Sequence, residues 1–265
     1  MIRASGAALA AAVGLGAAAL ALPLADPSVS LSGGPVVALL LSGMFLMSVV
    51  AAALRFAEDG ATVREVSLVA MLGAFAAASR VPFAAIPSVQ PVTFLVVAAG
   101  ATFGAPAGFL VGAVAAVASN VALGQGPWTL YQAFAWGLAG ASGALVARWR
   151  PGPRAWAAFG AGWGFAFGWL LDVWVWLAFY APLTLSSLAL VLALSFPFDL
   201  LHAVGNAVLF LAFGPRALAI LARHRAKLVR RPLETEEKPA LIRRPPAAGT
   251  PVAEAINSPT AQPQN

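Results

Sequence analysis

Cysteine is missing from all 265 residues. That absence removes disulfides, thiolate nucleophiles, iron–sulfur clusters and thiolate zinc sites together. Histidine is nearly absent: of the two present, His224 lies in a basic C-terminal stretch, so a three-histidine zinc site is also excluded. The two lysines, Lys227 and Lys238, both fall in that stretch, and no GxxxxGK run ending in Ser or Thr exists, so the chain has no P-loop for ATP. Charge of either sign is scarce. Charged residues make up 10% of the chain, against about 25% in soluble domains. Hydrophobic residues make up 60%, with a mean hydropathy of +0.84. This composition predicts an all-α integral membrane protein. No internal repeat is evident, which argues against inverted-repeat transporters.

Apolar segments near the roughly 20 residues of a spanning helix run over 4–24, 35–54, 66–82, 91–104, 106–123, 129–147, 155–180 and 184–213. The segment at 91–104 is short, so it is expected to be tilted, buried by its neighbours or broken near Pro91. Residues 1–24 have signal-peptide features, but the apolar run exceeds the usual h-region of about 7–15 residues. A retained first span is the expectation. Arg55, Glu58, Asp59, Arg64 and Glu65 mark a charged hinge, dividing an N-terminal pair of spans (1–60) from a set of six (61–216). From 217 to 265 a basic, Pro-rich tail is expected to be disordered.

The net charge of +6 follows topology and does not imply nucleic acid. Apart from Arg80, the basic residues cluster at Arg3, at Arg55 and Arg64, at Arg148, Arg150 and Arg154, and from Arg216 onward. Counted through the spans, these lie on one side, which the positive-inside rule makes cytoplasmic, with both termini inside. A cytoplasmic-membrane, multi-pass protein without a nucleic-acid partner is expected.

Arg80 is the exception, placed at the outer end of its span. Snorkelling to outer headgroups, pairing with Asp172, or facing an anionic group of a ligand each accounts for it. Trp169, Asp172 and Trp176 fall within about 60° on one helix face, and Asp199, His202 and Asn206 form a similar stripe on the last span. Carboxylates cost at least about 2.5–3.5 kcal/mol in hydrocarbon, so they should face protein or a wet cavity. Locking helices together and lining a polar cavity are both open to them. Gln90, Asn120, Gln125 and Gln132 supply neutral polar groups near the outer level, and Trp128 and Trp136 supply aromatic faces or an interfacial belt. Small-residue stripes occur at Ala70, Ala74 and Ala78, at Gly108, Gly112, Ala116 and Asn120, and at Gly160, Gly164 and Gly168. Each serves either helix packing or docking of another membrane protein.

Four segments within about 64–216 resemble the substrate-binding S components of energy-coupling factor vitamin transporters. Ala70-x-x-x-Ala74-x-x-x-Ala78 looks like the stripe that contacts the membrane coupling protein, and Phe83–Phe94 looks like the loop that closes the pocket from outside. Gly104–Gly112 resembles the short turn into the third helix, without the basic residue expected after Pro106. Gly124-Gln125-Gly126-Pro127-Trp128-Thr129 is similar to a cobalamin-type subgroup. The resemblance implies a six-helix bundle, here with two extra N-terminal helices, that captures a vitamin or precursor from outside. It also implies a coupling protein and two ATPases as partners, no cofactor and no catalysis by this chain. An intramembrane enzyme using Asp172, Asp199 and His202, or a structural and assembly protein, are the alternatives.

Overall fold

The computed structural model describes residues 3–25 and 34–230. Within them the chain is helical throughout, with eight α-helices and no strand. These are α1 (Ala4–Ala25), α2 (Gly34–Glu58), α3 (Val63–Arg80), α4 (Val92–Phe103), α5 (Ala105–Leu123), α6 (Trp128–Val146), α7 (Pro153–Phe179) and α8 (Leu185–Arg230). The order and bounds follow the apolar segments closely, because helix breakers and caps punctuate them. Thr62 caps α3 in a reciprocal box with Glu65. Gly104 joins α4 to α5 through a single residue at φ 99°, and Gly124 ends α5 at φ 107°, conformations that favour glycine. Pro153 opens α7 in its first turn.

Four helices contain stretches long and apolar enough to cross a membrane: Pro35–Glu58, Ala105–Leu123, Pro153–Phe179 and Leu185–Lys227. Large apolar side chains face outward around the bundle, among them Leu39 (73% exposed), Met71 (62%) and Val121 (78%). Such surfaces suit a hydrocarbon environment and are unfavourable in water. The structure is therefore compatible with a multi-pass membrane protein. Helix α4 has only 12 residues, about 18 Å of rise, and its Val92, Val96, Val97 and Ala98 are fully enclosed. Burial by neighbours is how the short segment is accommodated.

The centre is built on glycine. Gly100 of α4, Gly108 of α5 and Gly140 of α6 converge so closely that a Cβ on any one would overlap the backbone of another. Without side chains between them, the three helices gain van der Waals contact along their backbones, as small residues allow in membranes. Gly112 lies in the same way against the backbone of Trp136 and Gly137. Gly140→Val should destabilise the fold by at least the roughly 1–3 kcal/mol typical of overpacking, since backbone cannot yield as a side chain does. Thermal unfolding of the detergent-solubilised protein checks this; an unshifted midpoint would contradict the packing.

Helices α7 and α8 interlock through another such stripe. Gly160 lies under Phe210, Gly164 under the backbone of Ala203, and Gly168 under the carboxylate of Asp199. Both this stripe and that of α5 therefore serve packing within the chain. The stripe on α3 divides by face: Gly73, Ala76 and Ala77 are buried, whereas Ala70, Ala74 and Ala78 are exposed.

The charged hinge is a short turn, and Phe45 of α2 packs against Tyr131 and Phe134 of α6. One sequence expectation needs correction: helix α8 does not stop at residue 216. It continues to Arg230 with Pro215 inside it, because Ala217–Lys227 consists almost entirely of good helix formers. The rest of the expected disordered tail lies outside the described residues.

Candidate functional site

The polar residues meet in two places. The first is centred on Arg80, the last residue of α3, which is only 8% exposed. Its Nε donates to Gln90 Oε1 at 2.8 Å, and its Nη1 donates to Ser119 Oγ at 2.9 Å and Asn120 Oδ1 at 2.6 Å. The guanidinium carbon stands 5.0 Å from the Trp136 ring centroid, in cation–π range. Every one of these partners is neutral. Of the three roles open to Arg80, pairing with Asp172 is not formed and snorkelling does not fit its burial. Arg55 and Asp59 form an ion pair at 3.1 Å, at the end of α2.

Asn120 holds this arrangement in place. Its Nδ2 donates to Thr129 Oγ1 at 2.9 Å and Gln132 Oε1 at 2.7 Å, which fixes Oδ1 toward Arg80. Gln125 is exposed and folds back, donating to the Val117 carbonyl and accepting from Thr129. It tethers the Gly124–Thr129 turn rather than facing the guanidinium. Trp128 packs edge-on to Trp174 at the N-terminal end of α6. Beneath Arg80, Trp136 stacks on Phe167 and donates through Nε1 to Thr93 Oγ1 at 3.0 Å. Thr93 Oγ1 lies 2.9 Å from His202 Nε2. A hydrogen-bonded and aromatic chain thus runs from Arg80 through Trp136 and Thr93 to His202, joining α3, α4, α6 and α8.

The second cluster joins α7 and α8. Ser195 Oγ is 2.5 Å from Asp172 Oδ2 and 3.1 Å from Asp199 Oδ2. A hydroxyl has one proton to give. It serves one carboxylate at a time, so the pair retains capacity to accept hydrogen bonds from a ligand's amide or hydroxyl groups.

The remaining sequence candidates separate from these clusters. Trp169 is 53% exposed and lies against Phe165 on the outer face of α7. Trp176 donates to Ser187 and packs toward the α1–α2 pair. Asn206 donates to the Gly160 carbonyl at 3.1 Å, bracing α7 against α8, while its buried Oδ1 has no partner. The periodicity behind both stripes is sound, but a face 60° wide contains positions that meet different neighbours. Sequence reasoning missed Ser119, Ser195, Thr93 and Thr129 as site members. Hydroxyl residues are too common in helices to stand out, and Ser195 is signalled only by its place four residues before Asp199.

Comparison with known proteins returns no match. No family model, no curated protein and no solved structure aligns significantly with the chain. The reading of the site therefore stands on its own geometry: a buried cation among neutral acceptors, an aromatic face beside it, and two carboxylates sharing a hydroxyl.

Proposed function

We propose that the chain is the substrate-binding membrane subunit of an energy-coupling factor importer. It takes up a vitamin or vitamin precursor, cobalamin-like by the Gly124–Thr129 segment, and α3–α8 form its binding unit. The observation that carries this reading is Arg80. A guanidinium has five N–H donors; Nε and Nη1 are engaged by neutral groups, while among the described residues no hydrogen bond engages Nη2. An ionised group kept from water without a counter-ion is costly, and an anionic substituent of a ligand supplies that counter-ion. The Asp172–Ser195–Asp199 acceptors suit a ring system bearing donors. In this reading the protein lies in the cytoplasmic membrane with both termini inside, because the remaining basic residues share one side.

Energy would come from partners, since the chain has no P-loop. A membrane coupling protein is expected on the exposed Ala70, Ala74 and Ala78 face, together with two ATPases. Co-expression of the chain with such a module should give uptake of one labelled vitamin into cells or vesicles that neither part gives alone. No uptake and no tight binding across the vitamin panel would overturn the proposal.

A further inference from the structure

Between the N-terminal pair and the bundle lies a cavity of about 690 Å³ that the substrate reading does not use. Helix α1 packs on α2, and α2 in turn packs on α5, α6 and α7, which leaves a cleft between α1 and the α5–α6 pair. Leu9, Val13, Met44, Phe109, Phe134 and Leu138 supply its large apolar side chains, and small residues such as Ala12, Ala51 and Ala52 keep it open. Its hydroxyls are already engaged. Ser5 donates to Glu58, and Ser48 to the Met44 carbonyl. The walls therefore offer a polar ligand almost nothing. Among the described residues the one charged lining residue is Arg55, 46% exposed in its side chain, with one nitrogen 3.1 Å from Asp59 and further donors to spare.

We propose that this cleft holds an acyl chain of a phospholipid, with Arg55 at the headgroup phosphate. The dimensions select lipid over a helix. The lining runs from Ser5 to Val13 on α1 and from Met44 to Arg55 on α2, about 12–17 Å at 1.5 Å per residue. One leaflet of a roughly 30 Å hydrocarbon core is about 15 Å deep. A partner helix or a second copy crossing the membrane needs a groove along the whole core, whereas a chain entering from the Arg55 side needs one leaflet. The chemistry is amphiphilic in the matching order: a cation and its free donors at the polar end, then apolar walls. The N-terminal pair would thus use a lipid to seat itself on the bundle.

The test places the full chain in phosphatidylglycerol nanodiscs doped with a phospholipid that carries a diazirine within one acyl chain. After photolysis, peptide mass spectrometry maps the adducts. Wild type should be labelled at cleft residues, foremost Met44, Phe109 and Leu138, as well as at the outward-facing controls Leu39 and Val121. Ala52→Trp, which fills the cleft, should lower cleft labelling by about ten-fold, equivalent to about 1.4 kcal/mol, and leave the controls unchanged. Arg55→Gln, which leaves the cleft lining apolar, should lower it by a smaller factor. Cleft residues unlabelled in wild type while the controls react would overturn the proposal, and so would equal cleft labelling in wild type and both variants. The wild-type map decides even if Ala52→Trp fails to fold.

Discussion

Arg80→Ala is expected to weaken ligand binding by about 2–5 kcal/mol, the cost of leaving one member of a buried charge pair without the other. That is a loss of between roughly 30-fold and several thousand-fold in affinity. The guanidinium contributes in two ways. It offers the uncommitted Nη2 donors, and its cation–π contact with Trp136, 5.0 Å away, holds the charge in place. Arg80→Lys should recover only part of the loss, because an ammonium keeps the charge but cannot donate to Gln90, Ser119 and Asn120 while also presenting a fork to an anion. Equilibrium binding of the labelled vitamin to purified variants reads this directly. Wild-type affinity in Arg80→Ala would show that the residue only ties α3 to α5.

Ala74→Leu should behave in the opposite way. Ala74 is exposed on the outer face of α3, between Ala70 and Ala78 and beside the exposed Met71 and Phe75. A larger side chain there meets nothing among the described residues, so stability should shift by no more than about 0.5 kcal/mol. Ligand binding should match wild type. Close approach of a partner backbone, however, depends on small residues. If α3 docks a coupling protein, the bulkier residue sits in the middle of that contact and should reduce coupled uptake by about 30-fold, the effect of losing about 2 kcal/mol at an interface hot spot. The two substitutions thus separate capture from delivery. Unimpaired uptake in Ala74→Leu would move the docking surface elsewhere.

The helices were legible because apolar run length and Gly and Pro punctuation are local signals. Gly104 and Gly124 mark two boundaries that the structure retains. Arg80, Asn120, Gln132 and Trp136 were also legible, since a polar or aromatic residue among apolar ones is conspicuous and the structure brings these four together. What was not legible depends on pairing between distant helices. Trp169 shares a helix face with Asp172 by angle alone, yet it points outward because α8 covers only part of that face. Thr93 became important only when α4 came within 2.9 Å of His202 on α8. The three stripes of small residues look alike in sequence. Only packing shows that those of α5 and α7 are used inside the chain, while Ala70, Ala74 and Ala78 remain open.

The central claim is that Arg80 waits for an anionic group on a captured ligand. Mass spectrometry of small molecules that copurify with the full chain, beside those that copurify with Arg80→Gln, tests it most directly. The account predicts one ring compound with a carboxylate or phosphate, enriched in the wild-type preparation and depleted from the variant. Identical small-molecule profiles from two well-folded preparations would contradict it.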